Sequence, residues 1–210
     1  MSFNEILTGR APSGLTDSRF NAVLYTGTRP GSQTINTGFK PDFGFVFPRS
    51  FADHKTVWDT TRGNTACSGL QEQGAEYDFS GGLTAITSSG FTVANTGQLN
   101  TNGGTLHAFV WGANGGTTSS NSNGSITSTV QTHSGGGFSV ITWTGTGSDG
   151  TIGHGLSAEP QLIWVKTRSH TSDWVMYSPE LSSTSHRIVV GTSQGAQNTD
   201  NNPWNSTAAT

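Results

Sequence analysis

Apolar and polar residues alternate over short stretches of this chain, and Gly, Ser, Thr and Asn separate those stretches. Residues 105–111 alternate regularly, with aliphatic side chains on one face and aromatic side chains on the other. Residues 43–47 are apolar on both faces. Alternation with a period of two is typical of β-strands, and a strand that is apolar on both faces belongs in the middle of a packed sandwich. The pattern therefore predicts an all-β fold.

The same criterion, applied along the chain, predicts strands bounded by turn residues. They lie at residues 22–26, 33–36, 43–47, 54–59, 83–87, 91–94, 105–111, 124–130, 138–144, 151–153, 161–168, 173–177 and 186–191.

An imperfect internal repeat divides these strands into two units. Residues 137–177 resemble residues 21–59: Tyr25 corresponds to Trp143, the run 43–46 to the run 162–165, and Trp58 to Trp174. Repetition of this kind indicates one structural unit used twice. We therefore expect two tandem β-sandwich units.

The second unit is expected to be incomplete, because nothing after Trp174 resembles residues 105–111. A sandwich that lacks its last strand has an exposed edge that invites pairing with another chain. Either the chain is part of a longer protein or a partner supplies the missing strand. The polar, turn-like composition of the last residues favours the first explanation.

The composition shifts suggest four segments. Residues 1–20 form an N-terminal arm, residues 21–112 the first unit, residues 113–137 a Gly/Ser/Thr-rich connection with one strand, and residues 138–210 the second unit. In the arm, Phe3, Ile6 and Leu7 suit one short amphipathic turn that anchors the chain, and a frayed terminus is the alternative.

Charge and cysteine content exclude several functions. The formal net charge is −3 and only 11% of the residues are charged, so no basic stripe exists for a nucleic-acid partner. Cys67 is the only cysteine, which excludes an intrachain disulfide and favours a reducing folding compartment. The sequence contains no apolar run long enough to insert into a membrane and opens without the pattern of a secretory signal, so we expect synthesis in a cytosol.

Two glycine motifs suggest chemistry but lack the context that it requires. The sequence at 145–150 satisfies G-x-G-x-x-G, yet no helix pattern follows to hold a pyrophosphate. The sequence at 191–195 satisfies G-x-S-x-G around Ser193, but helix-breaking residues follow, and no His comes after the serine. No cofactor and no serine nucleophile are predicted.

Acidic residues and histidines give no stronger signal for an enzyme. The six histidines lack the spacing of a metal site. Glu72, Glu76 and Asp78 form the only acidic cluster, which we interpret as a solvated loop rather than a glycosidase pair. Asp59 and Arg62 are spaced for a local ion pair or a turn contact rather than for a substrate clamp. No catalytic, cofactor or metal site is predicted, and the chain is expected not to be an enzyme.

Aromatic residues are numerous for so polar a chain, with six Trp, three Tyr and eleven Phe. Most are expected to anchor the cores. Phe51 and Trp204 lie in predicted loops, where an aromatic ring suits stacking on the sugar of a glycan.

Several phrases of the sequence resemble a family of repeated β-domains found among the structural proteins of tailed bacteriophages, especially marine and cyanobacterial ones. They include TGFKPDFGFVFPRS in the first unit, and GFSVITWTGTGSDGTIGHGL and PQLIWVKTRS in the second. The family is described as tail-fibre-like or lectin-like, with jelly-roll or lectin-like sandwiches. The resemblance implies a virion structural protein of the tail, made in the host bacterial cytoplasm and trimeric as fibres commonly are.

The two copies of the repeat differ at one pair of positions, and this difference suggests a docking surface. Phe47 and Pro48 stand where the second unit has Lys166 and Thr167, and a proline removes a backbone donor at the end of the strand. The first unit is therefore expected to dock on other tail proteins there, together with the N-terminal arm.

Three functions remain open at this point: a phage tail fibre or appendage protein, a lectin-like module that binds host surface glycans, and a polysaccharide-degrading enzyme. The first two are compatible with each other. The third ranks last because no acid pair or nucleophile is predicted.

Overall fold

The structure is a computed structural model that describes residues 20–70, 72–183, 186–190 and 204. Over these residues the fold is all-β, as the sequence predicts, with a single four-residue helix. No helix in this part of the chain is long and apolar enough to cross a membrane. The elements are β1 Phe20–Thr26, β2 Gln33–Asn36, β3 Phe43–Pro48, β4 Thr56–Asp59, β5 Ala66–Gly69, β6 Tyr77–Asp78, β7 Leu83–Thr87, β8 Gly90–Val93, α1 Gly97–Asn100, β9 Thr105–Trp111, β10 Ser119–Asn121, β11 Ser128–Thr132, β12 Ser139–Trp143, β13 Ile163–Val165, β14 Trp174–Tyr177 and β15 Ile188–Val190.

The first unit is a sandwich of two antiparallel sheets. The larger sheet has the strand order β1-β9-β3-β4-β5-β6, and the smaller sheet has the order β2-β8-β7. Apolar side chains from the facing sides of both sheets form one core, in which Trp58 and Phe91 are fully buried. The inner face of the larger sheet is therefore covered by the smaller sheet.

The second unit covers the outer face of the same large sheet. Its strands β13, β14 and β15 form an antiparallel sheet, whose Trp174 packs with Phe45, Val57 and Leu70 of the first unit. The indole N–H of Trp174 donates to the carbonyl of Gly69 at 2.9 Å. The large sheet thus lies between two other sheets, which explains why β3 and β9 carry apolar residues on both faces.

The connection between the units is more ordered than its composition predicts. It contributes two strands rather than one, because β10 pairs with β11 and β11 pairs with β12 in a three-stranded antiparallel sheet. The strand predicted at 124–130 begins only at Ser128. Ile126 instead forms an isolated bridge with Ile152, and this bridge is what remains of the strand predicted at 151–153.

The strand register corrects one detail of the repeat. Trp58 lies opposite Gly44 in the first unit, and Tyr177 lies opposite Ile163 in the second. Since the run 43–46 corresponds to the run 162–165, Tyr177 and not Trp174 is the structural counterpart of Trp58. Trp174, three residues earlier, lies on the opposite face of its strand and contacts the first unit.

Candidate functional site

Aromatic side chains of the two units pack together where the units meet. Phe45 of β3 and Trp164 of β13 pack with ring centroids 5.2 Å apart. Phe138, just before β12, stacks on Trp111 of β9 at 5.9 Å with an interplanar angle of 18°. Aromatic rings of this size dominate the energetics of a buried contact, so the two units are joined by packing and not by the connection alone.

A buried carboxylate organises the polar part of this contact. Asp42, fully buried before β3, accepts hydrogen bonds from the N–H groups of Ala113 and Gly115 at 2.7 and 2.8 Å and from the hydroxyl of Thr60 at 2.9 Å. Backbone donors of this kind compensate a buried negative charge. Asp42 therefore holds the start of the connection against the start of β3.

Gln131 of β11 extends the same polar contact to the strands of the connection. Its side chain is fully buried, and its Oε1 accepts from the hydroxyls of Thr60 and Thr61 at 3.1 and 2.8 Å. Both threonines belong to the loop that follows β4. The sheet β10-β11-β12 is therefore fixed to the first unit by hydrogen bonds.

A network of four charged side chains also lies at the contact between the two units: Asp59, Arg62, Glu76 and Arg168. Arg62 donates through Nε to Asp59 at 2.5 Å and through Nη1 to Glu76 at 2.9 Å. Glu76 also receives two hydrogen bonds from Arg168 of the second unit, both at 2.9 Å. The Asp59–Arg62 pair confirms the local ion pair that the sequence predicts, although the pair is buried.

The protonation of Glu76 follows from this network. Burial favours the neutral carboxyl group, but the hydrogen bonds from Arg168 and Arg62 outweigh burial and lower its pKa. Glu76 is 18% exposed, so the prediction of a solvated acidic loop is wrong for this residue. The other two acids also have partners, since Glu72 pairs with His54 and Asp78 accepts hydrogen bonds from Ser80.

The predicted docking residues lie in different environments. The ring of Phe47 is half-buried on the outer face of the large sheet and stacks on His107 at 5.0 Å. Pro48 ends β3 opposite Leu106. The pairing of β3 with β4 stops at Val46 and Thr56, so the missing N–H of Pro48 costs the sheet no hydrogen bond. Phe3, Ile6 and Leu7 lie outside the described residues, as does Ser193.

Both aromatic residues predicted to stack on glycans have packing partners within the chain. The ring of Phe51 lies so close to Gly104 that a Cβ at that position would be 2.6 Å from the ring. Trp204 packs on Tyr177 with centroids 5.4 Å apart, and its indole N–H donates to the carbonyl of His186 at 2.9 Å. Each residue is half-buried and holds a neighbouring segment in place.

The glycine motif at 145–150 forms an exposed loop with Gly147 at a positive φ of 80°, and no helix follows it in the described part of the chain. Among the described residues no three His, Cys, Asp or Glu side chains lie close enough together to hold a metal ion.

Two adjoining surface grooves were not predicted from the sequence. Their volumes are about 300 and 370 Å³, and both are lined by Asn123 and Gly155. Asn121 and Thr132 line one groove, and His154 lines the other. The lining contains amide, hydroxyl and imidazole groups and no Asp, Glu, Lys or Arg side chain. Such groups match the hydroxyls of a neutral sugar, and the only sequence signal for them is the Asn- and Ser-rich composition of the connection.

In a comparison with protein families, residues 16–210 match the model of a domain of unknown function, DUF7483. The chain belongs to the DUF7483 family. The match spans both units and the connection. No curated protein and no solved structure matches the chain.

Proposed function

We propose that this DUF7483 chain is a virion structural protein of a tailed bacteriophage, a component of a tail fibre or tail appendage. The observation that carries the proposal is the face-to-face junction of two related all-β units through Phe45, Trp164 and Trp174. Repeated sandwich units joined through buried aromatic contacts suit a protein that must transmit force along its length. The resemblance to repeated β-domains of phage tails supports the same function.

The polar groups at the junction also suit a structural role. Glu76 is held ionised between two arginines, and Asp42 is saturated by backbone and hydroxyl donors. A general acid needs a raised pKa and access to substrate, which is the opposite of what Glu76 has. These groups stabilise the junction of the two units instead.

In this proposal the N-terminal part attaches the chain to the tail. Phe3, Ile6 and Leu7 of the arm are the proposed anchor, and the half-buried Phe47 with Pro48 forms a second docking surface. Other tail proteins are the proposed partners, and the oligomer is proposed to be a homotrimer made in the host cytoplasm.

Fractionation of phage particles tests this proposal. Particles of the phage that encodes the chain are disrupted, tails are separated from capsids, and the chain is quantified in each fraction by mass spectrometry. We expect it in the tail fraction, and the isolated chain is expected to have the mass of a trimer in solution. Recovery in the capsid fraction, or absence from the particle, would contradict the assignment.

We propose host-glycan binding as a second candidate function, which is compatible with the first. The specific observation is the pair of adjoining grooves lined by Asn121, Asn123 and His154, whose lining contains no Asp, Glu, Lys or Arg. Neutral sugars are bound through amides and hydroxyls in grooves of this kind. The aromatic candidates Phe51 and Trp204 lie elsewhere and would form a different site.

A glycan array distinguishes these sites. If the grooves bind sugar, Asn123→Ala should weaken binding by about tenfold, roughly 1.4 kcal/mol. Trp204→Ala is the matched variant, and a loss confined to this variant would assign binding to Trp204 instead. An array that shows no binding contradicts the glycan proposal and leaves the tail assignment standing.

A further inference from the structure

The position of β9 in the first unit defines a strand site that is open in the second. β9 lies between β1 and β3 and pairs antiparallel with both of them. Its aliphatic residues face the inner core, and its aromatic residues face the second unit. The repeat identifies β12 as the counterpart of β1 and β13 as the counterpart of β3. A counterpart of β9 would therefore lie between β12 and β13.

Backbone hydrogen bonds show which edge of β1 faces β9. Gly27, directly after β1, donates its N–H to the carbonyl of Gly104 at 2.8 Å and accepts from the N–H of Gly103 at 3.0 Å. Successive residues of a strand point their backbone groups to opposite edges. The backbone groups of Tyr25 and Val23 therefore also point to β9.

β12 pairs with β11 along the edge opposite to the one that β1 uses to pair with β9. His133 donates its N–H to the carbonyl of Phe138 at 3.0 Å, so the even-numbered residues of this strand point their backbone groups to β11. Trp143, the counterpart of Tyr25, is odd-numbered, and its backbone groups point away from β11. The edge that β1 offers to β9 is thus the edge on which β12 has no paired strand in the described part of the chain.

β13 likewise has one paired edge and one edge that no described strand pairs with. One of its edges pairs with β14, as β3 pairs with β4. Its other edge corresponds to the edge of β3 that pairs with β9, and no strand of the described residues pairs with it. Two unpaired edges in counterpart positions form an acceptor for one strand, and unpaired strand edges readily add a strand from another chain.

Apolar side chains are exposed at this acceptor. Tyr25 packs edge-on against Phe91 in the first unit, whereas its counterpart Trp143 is 37% exposed. Leu162, directly before β13, is 54% exposed. Trp143 and Leu162 are two of the three large exposed apolar residues in the described part of the chain. A strand placed between β12 and β13 would cover apolar surface and satisfy backbone groups together.

We propose that the second unit binds a β-strand that comes from outside residues 1–210, between β12 and β13 and antiparallel to both. The strand has the pattern of β9: aliphatic residues at alternate positions, to face Trp143, and aromatic residues between them. A folded second copy is not the donor. Among the described strands β9 has this pattern, and in a folded copy both edges of β9 are already paired with β1 and β3. This inference does not depend on the proposed function.

Peptide binding to the full chain tests the acceptor. The probe is a fluorescent peptide with the sequence of residues 102–113, NGGTLHAFVWGA, flanked by lysines for solubility. Fluorescence anisotropy should show saturable binding with one peptide per chain. A peptide with the same residues reordered to remove the alternation should bind at least about tenfold more weakly, because its apolar residues no longer share a face.

Two matched variants locate the binding site. Leu162→Asp should weaken binding by about tenfold or more, because it places a charge against the apolar face of the added strand. Leu24→Asp changes a leucine that is also exposed but belongs to β1, and it should leave the affinity unchanged. Both variants replace exposed side chains, so both are expected to fold, and circular dichroism checks this.

Three results would overturn the proposal. The first is no saturable binding, as expected if the chain's own residues or a second copy already occupy the two edges. The second is equal binding of the ordered and reordered peptides. The third is weakening by Leu24→Asp but not by Leu162→Asp, which would place the peptide on the free edge of β1.

Discussion

Phe45 and Trp164, which occupy corresponding positions in the two copies of the repeat, pack against each other with ring centroids 5.2 Å apart. The two units therefore meet through the same face, the outer face of the sheet that contains β3 or β13. A sheet that is apolar on both faces in each copy makes this junction possible, because one face builds the unit and the other joins it to its neighbour.

Trp174 is expected to be the main anchor of the junction. It is 7% exposed and packs between units, so Trp174→Ala should destabilise the chain by about 3–5 kcal/mol through lost burial and a cavity. Trp174→Phe keeps most of the volume but removes the hydrogen bond to Gly69 and should cost less, about 1–2 kcal/mol. Urea unfolding measures both. Equal losses for Trp174→Ala and for the exposed Trp143→Ala would contradict this role.

The two arginines of the charge network should differ in their effects on stability. The side chain of Arg62 is 7% exposed, and its removal leaves the buried Asp59 without its partner, so Arg62→Ala should cost about 3–5 kcal/mol. The side chain of Arg168 is 48% exposed, and Arg168→Ala should cost only about 0.5–1 kcal/mol because solvent screens the pair. Urea unfolding at neutral pH compares them, and a reversed order would contradict the network.

Acid should weaken the junction through Glu76. Because the folded-state pKa of Glu76 is lowered, its ionised form contributes stability that is fully present above the unfolded pKa and is lost as the pH falls through the folded pKa. Melting temperatures measured between about pH 2 and pH 6 should fall less steeply in Glu76→Gln than in the unchanged chain. Identical slopes would show that Glu76 does not carry this acid dependence.

Cys67 should be inert in the folded chain. It is fully buried in the first core, and burial raises the pKa of its thiol to about 12. The thiolate is the reactive form, so a thiol reagent should label it only when the first unit unfolds. Labelling at neutral pH should follow the unfolding curve in urea. Rapid labelling without denaturant would contradict the packing of this core.

Gly90 should not tolerate a side chain. A Cβ at this position would lie 1.9 Å from the carbonyl oxygen of Ile35 in the paired strand β2. Gly90→Ala must therefore push β2 and β8 apart and open the core. We expect a loss of about 1–3 kcal/mol, as in other overpacked sites. Gly74→Ala has open space around its Cβ and is the control, which urea unfolding should find nearly neutral.

The strands predicted at 33–36, 83–87 and 105–111 match β2, β7 and β9 residue for residue. In these stretches alternation, β-branched or aromatic side chains and flanking turn residues agree. β5 was missed because its sequence, Ala-Cys-Ser-Gly, has no β-branched or aromatic residue, although pairing with β4 makes it a strand. The strand predicted at 161–168 is only Ile163–Val165, since its polar end bends away to bring Arg168 to Glu76.

The contacts that join the two units could not be predicted from the sequence. Glu76 and Arg168 are 92 positions apart, and neither lies in a pattern that predicts the other. Gln131 and Thr61 meet for a similar reason, because the packing of the sheets places a residue of strand β11 against the loop that follows β4. The repeat predicted that two units exist and that the second lacks a strand. It did not predict that the units pack through the faces bearing Phe45 and Trp164.

An electron-microscopy reconstruction of the intact phage particle tests the tail assignment most directly. We predict density for the chain in a fibre or appendage of the tail, with the two units in face-to-face contact and one added strand between β12 and β13. Density for the chain on the capsid shell would contradict the assignment.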